Sequence, residues 1–229
     1  MKCSLGRRRL IAGAAAAAAF RWQAGHAAED IVHRRQYVDC RFGQLHVHVM
    51  SPRSAKAAVR TPIVCLHPTP ASGRYFLDLL SILGRDRIAM AIDTPGYGES
   101  DRPPSPPTMA DYAGAVADGL RALGYGNRGR KVDVFGYHTG CLIAVELALR
   151  EADLVRRLVL TAIPYFPDPK QRAEASARVD RWAFSESPKP VLDLWESTVS
   201  KRPAGVTLEQ SIDQFLERMR PGDKEWWAY

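Results

Sequence analysis

The chain is poor in cysteine, has no long apolar span, and carries no histidine after His138. Each shortage removes a class of answer. The sequence has four cysteines, and only Cys40, Cys65 and Cys141 lie beyond residue 27. Cys65 sits in an apolar run and Cys141 opens another. An odd number in such surroundings points to buried free thiols and not to a disulfide framework. No Cys/His spacing matches a zinc site, so neither a metal nor an organic cofactor is implied. The apolar stretch Leu10 to Phe20 is too short to cross a bilayer as a stable membrane anchor. Basic residues are also fewer than the total suggests. Residues 1–27 hold five of them (Lys2, Arg7, Arg8, Arg9 and Arg21) and no acid, so without this segment the formal charge falls from +7 to +2. No Lys/Arg stripe with interleaved aromatics remains, which argues against a nucleic-acid partner.

What is present begins with that first segment. A basic n-region, the apolar stretch, and Gly25-His26-Ala27 ahead of Ala28 read as an export signal. Gly6-Arg7-Arg8-Arg9-Leu10-Ile11 is similar to the twin-arginine type. The expected product is periplasmic or secreted. The remainder divides into a core, residues 28–164, and a segment of helical character, residues 165–229.

Within the core, Tyr37 to Met50 alternates as two short strands with a turn at Phe42-Gly43-Gln44. The rhythm then changes. Pro62 to Leu66, Arg87 to Ile92, Lys131 to Tyr137 and Val155 to Ile163 are apolar runs of the kind buried on both faces of a parallel sheet. Helices are predicted between them, over Tyr75 to Leu83, from a Thr108/Asp111 capping box to Leu123, and over Thr139 to Arg150. This alternation predicts an α/β fold with a doubly wound, mostly parallel sheet, whose ligand sits at the carboxyl ends of the strands. After Pro164 only helical segments follow, about 170–183, 190–201 and 208–219. They form a predicted cap over that edge. Trp182, Phe184, Trp195 and Phe215 are candidates either to line an apolar pocket or to pack the cap onto the sheet.

Three segments carry chemistry. Gly136-Tyr137-His138-Thr139-Gly140 lies between a strand and a helix. Glycines two before and two after the central residue allow a very tight turn, which lifts that residue over the sheet edge in a strained conformation. The Thr139 amide then opens a helix and can donate to an oxyanion. His67-Pro68-Thr69-Pro70 follows the first buried strand. Thr69 is its candidate second oxyanion amide, because prolines have no N–H. Asp93-Thr94-Pro95-Gly96-Tyr97-Gly98 follows the next strand; its carboxylate is placed to bind nearby backbone N–H groups. His67, Asp93, Gly136 and Gly140 are therefore expected to support the site, with His138, Thr69 and Thr139 in contact with substrate.

His-x-x-Pro after one strand, Asp-x-Pro-Gly-Tyr-Gly-x-Ser after the next, and a Gly-x-x-x-Gly elbow in that order resemble the α/β-hydrolase superfamily. The nearest likeness is to its epoxide hydrolase, haloalkane dehalogenase and esterase-like branch, over roughly residues 35–164. The resemblance implies hydrolysis of a small ester, epoxide or similar small molecule, without a cofactor. Two departures stand out. The elbow holds His138 where the family places a nucleophilic Ser, Cys or Asp, so a serine acyl-enzyme cannot form there. The family's acid and histidine follow the nucleophile in chain order, and here no histidine follows, so a Ser-His-Asp triad cannot be assembled. The expectation is a chain ending before the final core strands, as a truncated reading frame would, with an exposed sheet edge and poor solubility. A catalytically inactive binding protein and a truncated fragment are the alternatives to an enzyme. The sequence leaves the oligomeric state open.

Overall fold

The computed structural model describes residues 30–171, 174 and 186–220. The export-signal segment, most of the helix expected over 170–183, and residues 221–229 lie outside the described residues. Six strands form one sheet: β1 (Ile31–Cys40), β2 (Gly43–Pro52), β3 (Ile63–Leu66), β4 (Ala89–Ile92), β5 (Val132–Tyr137) and β6 (Val155–Thr161). Their order is β1-β2-β4-β3-β5-β6. The first two form an antiparallel hairpin and β2 is antiparallel to β4, while β4, β3, β5 and β6 run parallel. This is the α/β-hydrolase fold, with a mostly parallel sheet as expected.

The helices explain the apolar runs. Helices α2 (Met109–Ala122) and α3 (Thr139–Arg150) cover one face, where Val64, Leu66, Met90, Ile92 and Val134 join their core. Helix α1 (Leu77–Leu83) covers the other with Cys65, Ala89, Ala91 and Leu80. Along β3, alternate residues therefore enter different cores, and no position is left for a polar side chain. The capping box that opens α2 is formed: the Thr108 hydroxyl accepts from the Asp111 amide and the Asp111 carboxylate accepts from the Thr108 amide.

Three local expectations need correction. The β1–β2 turn is Arg41-Phe42; Gly43, at φ +112°, already pairs with Cys40 inside the ladder. Strand β1 starts at Ile31 and not near Tyr37, because its charged first half (His33, Arg34, Arg35) hides the pattern of an exposed edge strand. The helix expected from Tyr75 begins as a 3₁₀ turn over Gly73–Phe76 before α1.

β3 to β4 steps one way along the sheet, and β4 to β5 crosses back beyond β3. The switch point between β3 and β5 brings Leu66-His67 beside Tyr137-His138. Helix α4 (Lys189–Trp195) is continued by a π-helical turn over Glu196–Ser200; against that turn packs α5 (Leu208–Met219), which lies over this edge. Residues just after and within α5 tie it down: Arg220 pairs with Glu99, and Glu217 stands 3.4 Å from Arg74. At the far side, among the described residues, β6 pairs with β5 alone, and its Leu158, Val159 and Leu160 are 37%, 49% and 40% exposed.

Candidate active site

His138 has φ 52° and ψ −119°, the strained geometry expected at the tip of the strand–helix elbow. The flanking glycines are there for space. A Cβ on Gly140 would lie 2.0 Å from the Leu66 carbonyl oxygen, and one on Gly136 would lie 2.7 Å from the Cys141 Cα. Only bare backbone lets β3, β5 and α3 come this close. The His138 amide donates to the Thr161 carbonyl at 3.0 Å, which ties the turn to the end of β6. Burial lowers the His138 pKa, so the imidazole is neutral near pH 7.

The β3 loop reaches this elbow through Thr139. The Thr69 amide donates to the Thr139 hydroxyl oxygen at 3.2 Å, and His138 Nδ1 lies 3.2 Å from the same oxygen. Thr69, His138 and Thr139 are thus brought together. The Thr69 N–H, the candidate oxyanion donor, is spent on this neighbouring hydroxyl. Thr139 is buried as the first residue of α3.

His67 and Asp93 stand behind this front. His67 is fully enclosed; Nδ1–H donates to the Pro68 carbonyl at 3.1 Å, and Nε2 accepts from the Thr94 amide at 3.0 Å. Both nitrogens are fixed in one neutral tautomer, and burial lowers the pKa further. The ring clamps the β3 loop to the β4 loop. Burial alone would raise the Asp93 pKa, but hydrogen bonds from His46, the Glu99 amide and the Gly73 amide outweigh it and keep the carboxylate ionised. The glycine of the Asp-Thr-Pro-Gly-Tyr-Gly loop that matters most is Gly98, at φ +55°, where a Cβ would fall 2.1 Å from Asp93 Oδ2.

A cavity of about 800 Å³ opens between the elbow and α5. Thr69, Tyr75, Tyr137 and His138 form its floor; Gln210, Asp213, Glu217 and Arg218 of α5 form its roof. Of the two roles open to the cap aromatics, the described ones take packing, and the apolar part of the lining comes from Pro68, Pro70, Ala71, Leu77 and Val206. Trp195 and Phe215 pack edge-to-face with ring centres 5.2 Å apart, and neither lines the cavity, while Trp182 and Phe184 lie outside the described residues. The reason is the register of α5: positions 210, 213, 214, 217 and 218 share the helical face turned to the cavity, and they are polar or charged.

One cluster escaped the sequence reading. His46 and His48 on β2 are buried on one face of the sheet, with Asp93 beside them. His46 Nδ1 is 2.9 Å from Asp93 Oδ2, and the His46 and His48 rings meet edge-on with centres 4.6 Å apart. The pattern His-Val-His was the available signal, since a period of two puts both rings on one side of a strand. The third member, Asp93, is distant in sequence and joins them only through the pairing of β2 with β4.

Comparison with known proteins agrees with this anatomy. A family model described as "Alpha/beta hydrolase family" matches residues 63–229. Among curated proteins, "Probable lysophospholipase BODYGUARD 4" of Arabidopsis thaliana is 30% identical over 131 residues, 55% of this chain and 31% of that protein. The chain therefore spans less than a third of the length of that relative. Of solved structures, an N-acyl homoserine lactonase, AidH, superposes with a TM-score of 0.64 at 19% identity, covering 86% of this chain and 68% of that one. A thermophilic esterase from Thermogutta terrifontis gives 0.64 at 19% identity, with 85% and 70% covered. The epoxide hydrolase CorEH gives 0.61 at 19%, with 86% and 73% covered. At these identities the likeness is one of fold.

Proposed function

The chain belongs to the alpha/beta hydrolase family, and from that premise we propose that it hydrolyses a small ester, lactone or epoxide held between the elbow and α5. The observation that carries this reading is the placement of His138. A neutral imidazole in a strained elbow forms part of the floor of a roofed cavity, beside Thr69, whose amide donates to the Thr139 hydroxyl. In this reading His138 is the general base. It takes a proton from water; the resulting hydroxide adds to the carbonyl carbon of an ester or lactone, or to a ring carbon of an epoxide with cleavage of its C–O bond, and the Thr69 and Thr139 amides receive the oxyanion. His138 then returns the proton to the leaving oxygen. For the oxyanion to enter, the Thr139 hydroxyl turns away from Thr69. No acyl-enzyme on serine is involved.

The test is turnover of a chromogenic short-chain ester by the full chain. Loss of turnover in His138→Ala, with the fold intact by circular dichroism, supports the reading. A second reading rests on the Thr139 hydroxyl that already satisfies Thr69: the same cavity as a non-catalytic binding site. Ligand binding without turnover, unchanged in His138→Ala, would point to it. We also propose that residues 1–27 direct export, on the twin-arginine-like pattern at Arg7 and Arg8. Retention of an Arg7→Lys/Arg8→Lys double variant in the cytoplasm tests this.

A further inference from the structure

We propose that His46, His48 and Asp93 form a binding site for a divalent transition-metal ion of the zinc type, separate from the elbow chemistry and not dependent on it. One ligand atom from each of the three lies within 4.8 Å of the others, and all three residues are buried. Two imidazoles and one carboxylate suit zinc, cobalt or nickel; calcium and magnesium prefer all-oxygen sets.

The surroundings are those of a prepared site. His48 Nε2 is buried and has no hydrogen-bond partner among the described residues, an arrangement that costs free energy unless something occupies that lone pair. Its other nitrogen, Nδ1, lies 3.2 Å from His33 Nε2, and this contact fixes the ring with Nε2 turned inward. A ligating histidine usually has its second nitrogen held in this way. Asp93 is held in turn by the Gly73 and Glu99 amides at 2.6 and 2.9 Å, so its carboxylate cannot rotate away. An ion seated here replaces the proton shared by His46 Nδ1 and Asp93 Oδ2, which leaves to solvent. His33 is exposed on β1 and marks the way in.

Charge sets a limit on affinity. Arg35 neighbours His33, and Arg74 lies close enough to act on His48. Both oppose a dication. The Asp93 carboxylate and Glu217, which pairs with Arg74, oppose that repulsion in turn. Micromolar binding is the expected result, weaker than in a structural zinc site.

The experiment titrates chelator-treated full-length protein with Zn²⁺ by calorimetry and with Co²⁺ by visible absorption. One ion per chain is expected. Binding is lost in His48→Gln, weakens about tenfold in His33→Ala, and is unchanged in His138→Ala. His33→Ala changes an exposed edge residue, so it remains informative if His48→Gln fails to fold. Loss confined to a folded His48→Gln upholds the three ligands and removes His33 from its positioning role. The proposal is overturned by absence of saturable binding, or by affinity that stays the same in His33→Ala and His48→Gln, which places the ion elsewhere.

Discussion

The hydroxyl oxygen of Thr139 stands 3.2 Å from the amide nitrogen of Thr69, in the place an oxyanion must take to reach that donor. In the proposed mechanism, the elbow therefore supplies its own ligand for half of the oxyanion hole. In Thr139→Ala the competing oxygen is removed and its place is left open. Turnover of the test ester should rise several-fold, while stability falls by about 1 kcal/mol for the lost hydrogen bond. Steady-state kinetics and urea denaturation measure the two. A drop in kcat beyond tenfold would instead make the Thr139 hydroxyl a participant in the chemistry.

The pH dependence follows from the burial of His138. Its pKa lies below the ordinary 6.5, and the neutral ring is the working form of a base. kcat/KM should be level from pH 7 to 8 and fall only as acid protonates the ring, with the midpoint below 6.5. A midpoint above 6.5 would contradict the assignment, since burial cannot raise an imidazole pKa.

Close approach at the elbow can be tested against a glycine that has room. Gly140→Ala forces a Cβ to 2.0 Å from the Leu66 carbonyl oxygen. It should cost more than about 3 kcal/mol, as backbone must move. Gly129 has φ +72° but nothing within 4 Å of its absent Cβ. Gly129→Ala should cost only about 1 kcal/mol, the price of a left-handed conformation. Urea midpoints for the two variants separate clash from backbone preference.

His67 should make the protein sensitive to mild acid. Its folded pKa is lowered by burial from 6.5, so below that pH the unfolded chain binds a proton the folded one refuses. Stability then falls with decreasing pH, from 6.5 down to the folded pKa, at up to about 1.4 kcal/mol per pH unit. His67→Gln keeps an acceptor for the Thr94 amide and cannot be protonated. Its urea midpoint should change less between pH 7 and pH 5 than that of the parent chain. A residual slope is expected from His48, which burial holds at about 4.

The order of strands and helices was legible along the chain because each element announces itself locally. The runs at Val64 and Val134 have nowhere polar to point, Thr108 and Asp111 close their own capping box, and Gly136 and Gly140 bracket a turn no other residue permits. The elbow at His138 was legible for the same reason. β1 was half-hidden, since an edge strand facing water needs no apolar alternation at His33 to Arg35.

What the amino-acid order determined by itself is the backbone: an alternating α/β chain, a strained bend carrying imidazole, and the loops that flank it. Neighbours in sequence suffice for that, because helix periods, caps and glycine turns are short-range. The tertiary structure alone decided which polar atoms meet. Thr139 reaches Thr69 across 70 residues, Asp93 reaches His46 across 47, and α5 turns its charged face to the elbow. Those meetings depend on the sheet order β2-β4-β3-β5, which puts distant loops side by side, and no local pattern encodes that adjacency.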